Sequence, residues 1–139
     1  MTRTDADVAA IALATLDLTD LGESTSQENA VALAARAAEH GTAAVCVWPR
    51  FVAASAQALA GTGVKVATVV NFPSGVEAVA DVRAMTEQAV ADGADEIDVV
   101  LPYRAFLAGE ADCAREVLGG VVAASGTAAV KVIGDSGEV

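Results

Sequence analysis

The sequence predicts an α/β fold in which short parallel strands alternate with longer helices. Short runs rich in β-branched residues recur at intervals of 21 to 33 residues, as expected of repeated strand–helix–strand units. Ala-rich stretches separate these runs, and several of them end at a glycine, as helices often do. With 54% hydrophobic residues in 139, the chain also has enough apolar side chains to bury a core, which excludes a disordered chain.

The predicted elements follow one another without a linker or a low-complexity tract, so residues 1–139 are expected to form a single domain. Five β-branched runs are predicted as strands: residues 13–18, 43–48, 64–70, 95–101 and 129–133. Four stretches are each long enough for three or more turns of helix: residues 26–40, 50–60, 75–92 and 110–125. Because strands and helices alternate, the strands are expected to pair in parallel.

Capping residues support the predicted helix bounds. Three residues stand where helices begin, as N-caps or in the first turn: Ser26, Pro49 and Ser74. Three glycines stand where helices end, since a left-handed residue commonly follows the last turn: Gly41, Gly93 and Gly126.

Five strand–helix units fit two architectures, an open doubly wound sheet or the first five strands of a (β/α)₈ TIM barrel. Successive side chains of a strand point to opposite faces, so Ile97 and Val99 share one face and Asp98 lies on the other. Three other strands likewise present one reactive side chain opposite apolar ones: Asp17, Cys46 and Lys131. A sheet covered by helices on both faces is expected to be apolar on both. The alternation therefore favours an incomplete barrel with a polar interior.

Charge and composition exclude several classes of protein. The net charge of −11 repels a phosphate backbone, so we expect no nucleic-acid partner. Charged residues interrupt every apolar run before it reaches the ~18 residues of a membrane span, and the first residues lack the pattern of a signal peptide. Cys46 and Cys113 have no metal-binding spacing and are interpreted as reduced thiols. These features predict a cytoplasmic protein without a metal site.

A barrel would bring Asp17, Cys46, Asp98 and Lys131 into one cavity. Burial of a carboxylate such as Asp98 raises its pKa, whereas a nearby ammonium lowers it. A buried carboxylate paired with a lysine can move protons near neutral pH. The alternative is that Asp98 merely caps the loop that follows its strand.

Several segments of the chain resemble the deoxyribose-phosphate aldolases, class I aldolases that have a (β/α)₈ barrel. Two of them carry the most specific motifs, Asn-Phe-Pro-x-Gly within residues 66–75 and Gly-Ala-x-Glu-Ile-Asp-x-Val within residues 93–100. Four others agree in strand, loop and order: residues 16–19, 44–51, 102–105 and 131–133.

The resemblance implies reversible cleavage of 2-deoxy-D-ribose 5-phosphate to D-glyceraldehyde 3-phosphate and acetaldehyde, a step of deoxyribonucleotide catabolism. A lysine forms a Schiff base with the substrate, and no cofactor takes part. The position of Asp98 implies a proton donor and acceptor, and that of Asp17 a proton relay. Cys46 is expected close to the substrate, or else is only a small buried hydrophobe. Asn71 and Phe72 are expected to bind substrate after the third strand, or else to serve the turn there.

The resemblance places the Schiff-base lysine on a sixth strand, beyond the 139 residues, and the sequence departs from the family at residues 134–137. Lys131 is predicted to be an electrostatic partner of Asp98 or Asp17 rather than the nucleophile. We therefore expect the chain to be inactive alone, and its open sheet edges to favour self-association. Two alternatives remain, a non-catalytic half barrel that complements another fragment and a receiver-like signalling domain. The latter requires an aspartate where Asn71 stands.

Overall fold

The structure, a computed structural model, describes residues 2–135 and 137. Four residues of the predicted domain 1–139 lie outside the described part: Met1, Ser136, Glu138 and Val139. One of them, Ser136, belongs to the segment 134–137, where the sequence is predicted to depart from the family pattern. The strands are Asp17–Asp20 (β1), Ala44–Val47 (β2), Lys65–Val70 (β3), Glu96–Val100 (β4) and Ala129–Ile133 (β5). The helices are Asp5–Thr15 (α1), Gln27–His40 (α2), Val52–Ala58 (α3), Val79–Ala91 (α4), Tyr103–Leu107 (α5) and Ala111–Ala124 (α6), with a 3₁₀ turn at Pro49–Phe51.

The five strands form one parallel sheet in the order β1-β2-β3-β4-β5, which confirms the predicted α/β class. A doubly wound sheet, including that of a receiver domain, reverses its strand order at a switch point. Here each strand is added beside the previous one. Because crossovers between parallel strands are right-handed, this order puts the connecting helices on one face, as in a barrel.

The apolar core lies between that face and the helices. Val45, Val47, Ile97 and Val99 belong to it and are fully buried, as the alternation along β2 and β4 predicts. The helices contribute alanine and valine side chains to the same core: Ala30, Ala34, Ala37, Val52, Val82, Ala89, Val117 and Val121. The three α2 alanines among them are fully buried in this core. Because the connecting helices lie on this one face, the other face of the sheet is left for the polar side chains.

The sheet is strongly curved. Four strand spacings of about 4.8 Å would hold β1 and β5 about 19 Å apart in a flat sheet. In the structure, Lys131 of β5 nevertheless reaches Asp17 of β1 across the concave face, with Nζ 2.7 Å from Oδ2. Five strands thus already have the curvature of a barrel wall.

The first strand begins later in the chain than the predicted strand, residues 13–18. Residues 13–15 belong to α1, and β1 begins at Asp17. The helix is favoured by its alanines and by a capping box, in which Thr4 and Asp7 accept hydrogen bonds from each other's backbone N–H groups. None of its residues is buried, so periodicity gave no signal for it. The short helix α5 was likewise not predicted.

The third predicted helix was also placed too early. It begins at Val79 rather than near Gly75, and Ala78 rather than Ser74 is its N-cap. The side chain of Asn71 accepts a hydrogen bond from the N–H of Glu77, at 2.9 Å, and so holds the intervening residues in a turn. An added Cβ at Gly75 would lie 2.9 Å from the carbonyl oxygen of Leu101, so only glycine allows this loop to pack against the end of β4.

The caps of α2 are as predicted. Ser26 accepts a hydrogen bond from the N–H of Asn29, and Gly41 has the left-handed conformation that ends the helix. Within residues 2–135 and 137, no helix is long and apolar enough to cross a membrane.

Candidate functional site

Four charged side chains meet on the concave face, and we call them the inner cluster: Asp17, Glu96, Asp98 and Lys131. Lys131 Nζ donates a hydrogen bond of 2.7 Å to Asp17 Oδ2. The same nitrogen lies 3.0 Å from Glu96 Oε2 and 3.3 Å from Asp98 Oδ1. One ammonium therefore faces three carboxylates, carried by β1 and β4.

Asp98 is the most deeply placed member of the inner cluster. Its side chain is 12% exposed, whereas the Lys131 side chain is 44% exposed. Its neighbours along the strand, Ile97 and Val99, point to the opposite face and into the apolar core. In the described residues Asp98 Oδ1 is buried and lacks a partner with hydrogen-bond geometry, and the charge of Lys131, 3.3 Å away, compensates it.

Burial raises the pKa of the Asp98 carboxyl above its ordinary value, and the attraction of Lys131 offsets only part of this effect. For Lys131, burial by itself lowers the pKa, but the contacts of its ammonium with Asp17, Glu96 and Asp98 outweigh burial and raise it. At neutral pH Lys131 is therefore a fixed positive charge, whereas Asp98 is the member of the pair suited to exchange a proton.

Cys46 lies on the same face, in a small apolar cluster with Ala67 and Val69. Burial, together with the negative charges of Asp98 and Asp17, raises the pKa of its thiol to about 12. At neutral pH the thiol is therefore neutral and a poor nucleophile. This environment suits a small hydrophobe beside the inner cluster, and the expected contact with substrate stays a prediction.

Asn71 directly follows β3 and is fully buried. Its amide nitrogen donates to the carbonyl of Val100 at 2.9 Å, while its amide oxygen accepts from the N–H of Glu77. Its φ of 56° is left-handed, a conformation that asparagine tolerates better than most residues. Because both polar ends of the side chain are engaged by the backbone, the structure gives Asn71 a role in the turn. Substrate binding by Asn71 stays a prediction.

Phe72 is half-buried at the carboxyl ends of the strands, where barrels of this kind place their sites. Its ring packs edge-on against Trp48, with the ring centroids 5.5 Å apart. Trp48 Nε1 donates a hydrogen bond of 3.0 Å to the carbonyl of Gly22 and so ties the end of β2 to the loop after β1. The two rings also line a pocket of about 330 Å³ that extends to Val69 on the concave face.

The structure thus brings together Asp17, Asp98 and Lys131, and it adds Glu96, which was not among the predicted site residues. A signal for Glu96 existed, since residues two apart on a strand share a face and Asp98 was already placed there. Within the described ranges, no group of three or more His, Cys, Asp and Glu side chains has an arrangement that could hold a metal ion. In the inner cluster, the space between the three carboxylates is taken by the ammonium of Lys131.

Comparison with known proteins gives a consistent result. The sequence model of the DeoC/LacD family of aldolases matches residues 11–133. A curated deoxyribose-phosphate aldolase of Agrobacterium fabrum is 47% identical over 140 residues, a match that includes 96% of this chain but 53% of the relative. The chain therefore spans about half the length of this relative.

Solved structures show the same relation. A protein from Coccidioides immitis described as a deoxyribose-phosphate aldolase superimposes with a TM-score of 0.90 at 30% identity, over 95% of this chain and 52% of that one. The deoxyribose phosphate aldolase of Aeropyrum pernix, described as having a unique tetrameric structure, superimposes with a TM-score of 0.78 at 26% identity. That match includes 88% of this chain and 52% of the other.

Proposed function

Because the chain belongs to the DeoC/LacD family of aldolases, we propose that it forms the proton-transfer side of a Schiff-base aldolase site. The observation that carries this proposal is the placement of Asp98, a buried carboxyl with a raised pKa that contacts the ammonium of Lys131 on the concave face. A carboxyl in this state can take a proton from a carbon next to an iminium and return it in the reverse reaction.

The substrate proposed for the complete site is 2-deoxy-D-ribose 5-phosphate, which would be cleaved to D-glyceraldehyde 3-phosphate and acetaldehyde. The description of the Agrobacterium relative, to which the chain is 47% identical, supports this substrate. Asp17 would relay protons through Lys131, with which it shares a hydrogen bond. Phe72 would contact the sugar at the carboxyl ends of the strands. A phosphorylated sugar and its aldehyde products imply a cytoplasmic setting.

Lys131 is not proposed as the Schiff-base lysine. Its ammonium is held by three carboxylates that raise its pKa, whereas a nucleophilic amine needs a lowered one. The other lysine, Lys65, is exposed at the start of β3, at the end of the sheet opposite to the carboxyl ends of the strands. We propose that the nucleophile comes from a sixth strand and that residues 1–139 alone do not catalyse the reaction.

Borohydride reduction in the presence of acetaldehyde tests this assignment. The 139-residue chain alone is expected to form no ethylated lysine, because neither of its lysines is a suitable nucleophile. The remainder of the Agrobacterium relative, beyond the segment that this chain matches, is then produced separately and mixed with it. The mixture is expected to form an adduct on the added half and to cleave 2-deoxy-D-ribose 5-phosphate. An adduct mapped by mass spectrometry to Lys131 of the isolated chain contradicts the assignment.

A second proposed property is self-association of the chain through its sheet edges. Within the described residues β1 and β5 each pair on one side only, and Val132 of β5 is 53% exposed. Unpaired edges with apolar side chains invite pairing with another chain. The tetrameric description of the Aeropyrum relative also supports an oligomer.

Light scattering at rising protein concentration checks this property. The apparent mass is expected to increase with concentration, and to increase further with salt, because screening weakens repulsion between chains of net charge −11. A constant monomer mass in both low and high salt is the contrary result.

A further inference from the structure

We propose that Glu96 is a positioning residue, which draws the ammonium of Lys131 away from Asp98 and so leaves one oxygen of Asp98 free to carry a proton. Neither the predicted site residues nor the family comparisons assign a role to Glu96. The use of the freed oxygen in aldol chemistry rests on the proposed function, but the position of the lysine does not.

The register of the sheet shows that Lys131 leans away from its own neighbour. On the paired strands β4 and β5, Lys131 lies opposite Asp98, and Glu96 lies opposite Ala129. Lys131 Nζ is nevertheless 3.0 Å from Glu96 and 3.3 Å from Asp98. The side chain therefore extends back by one pair of residues, toward Glu96 and Asp17.

The ammonium of Lys131 contacts Glu96 and Asp98 at different distances. A lysine ammonium has three N–H donors, and Lys131 directs one of them to Asp17 with hydrogen-bond geometry. Glu96 Oε2 meets the ammonium as a buried charge at shorter range than Asp98 Oδ1. In the described residues neither Glu96 Oε2 nor Asp98 Oδ1 has a partner with hydrogen-bond geometry, but the ammonium lies nearer to Glu96. Asp98 Oδ1 is therefore the less compensated of the two buried oxygens and the one that holds a proton more readily.

The titratable groups that face this site are few. They come from β1, β2, β4 and β5, whereas the inward side chains of β3 at this level are Ala67 and Val69. Cys46 of β2 is neutral at neutral pH because the pKa of its thiol is raised to about 12. Within the described residues, the position of the ammonium is therefore set by competition among three carboxylates, and Glu96 is the competitor nearest to Asp98 along the chain.

The substitution Glu96→Gln removes the competing charge and keeps the shape of the side chain. We expect the ammonium to move onto Asp98 and to stabilise its carboxylate, so that the pKa of Asp98 falls by about one unit, a tenfold loss of proton affinity. The pKa is measured in the 139-residue chain from the ¹³C shift of the Asp98 carboxyl. The crystal structure of the same variant is expected to show Lys131 Nζ within hydrogen-bond distance of Asp98 Oδ1.

Two further variants make the test specific. Glu116→Gln changes the net charge equally at an exposed position of α6 and is expected to leave the Asp98 titration unchanged. Glu96→Asp keeps the charge but shortens its reach, so an intermediate shift is expected, and this variant serves if Glu96→Gln does not fold. A lowered pKa of Asp98 with Lys131 in its original place would mean that Glu96 acts by repulsion alone, and this result overturns the proposal, as does an unchanged pKa. None of these measurements requires aldolase activity, so they stand apart from the test of the proposed function.

Discussion

Replacing Lys131 with methionine is expected to destabilise the fold by about 2 kcal/mol at neutral pH. The ammonium is the only positive charge within 4 Å of the three carboxylates in the described structure, and without it they repel one another in a partly buried site. Breaking a buried ion pair typically costs about 3–5 kcal/mol. The smaller value is expected here because the Lys131 side chain is 44% exposed and water screens part of the repulsion. Urea denaturation at pH 7 measures the loss.

The loss is expected to shrink as the pH is lowered. Burial already raises the pKa of Asp98, and removal of the offsetting ammonium raises it further. A carboxyl whose pKa is higher in the folded than in the unfolded state favours folding at acid pH, and this contribution disappears as the pH rises through the folded-state pKa. The stability difference between Lys131→Met and the parent chain is therefore expected to be largest above that pKa and smaller below it.

The chain provides a matched control, because it has one other lysine. Lys65→Met changes the net charge equally, but Lys65 is exposed and no carboxylate lies within ion-pair distance of it in the described residues. It is expected to change the free energy of unfolding by less than about 0.5 kcal/mol. Equal effects of the two substitutions would show that the inner cluster has no special dependence on its lysine.

The substitution Asp98→Asn is expected to lower aldol cleavage by about 10²–10⁴-fold, the range that general acid–base catalysis supplies. Activity is measured in the mixture of this chain with the remaining half of the Agrobacterium relative. An amide at this position cannot carry the proton, yet it avoids the cost of burying a charge, so the free energy of unfolding is expected to stay equal or to increase. Loss of activity without loss of stability separates proton transfer from a structural role.

The control for this substitution is Asp81→Asn, an exposed residue in the first turn of α4. It is expected to leave the cleavage rate unchanged, because Asp81 lies on the helical side of the sheet. If the mixture containing Asp98→Asn keeps the parent rate, another group carries the proton and the proposed role of Asp98 is wrong.

Strands were the most predictable part of the fold. The bounds of β4 and β5 follow from β-branched runs, and the alternation within them identified which face Asp98 would occupy. Helix α1 was missed because none of its side chains is buried, so it leaves no amphipathic pattern, and its capping box was the available signal. The start of α4 was placed early because long-range hydrogen bonds of Asn71, rather than local propensity, decide where the turn ends.

The residues of the inner cluster also differ in how well the sequence predicts them. Asp17, Asp98 and Lys131 could be proposed from parity together with the family resemblance, since each stands alone among apolar neighbours. Glu96 has the same parity as Asp98, and this is the signal that the sequence contains for it. A glutamate at the start of a strand is usually solvated, however, so parity alone does not identify Glu96 as a site residue. Its contact with Lys131 depends on the direction in which the lysine leans.

The sequence by itself determined the parallel α/β class and the face on which the carboxylates and the lysine lie, because alternation along a strand is a local property of the backbone. The tertiary structure alone decided that Asp17 and Lys131 touch, since that contact requires the curvature of the whole sheet between β1 and β5. It also decided that, in the described residues, Glu96 Oε2 and Asp98 Oδ1 are buried beside the ammonium without a hydrogen-bond partner. The strands that carry these charges are far apart in sequence, so the distances between the charges are fixed only by the curvature of the folded sheet.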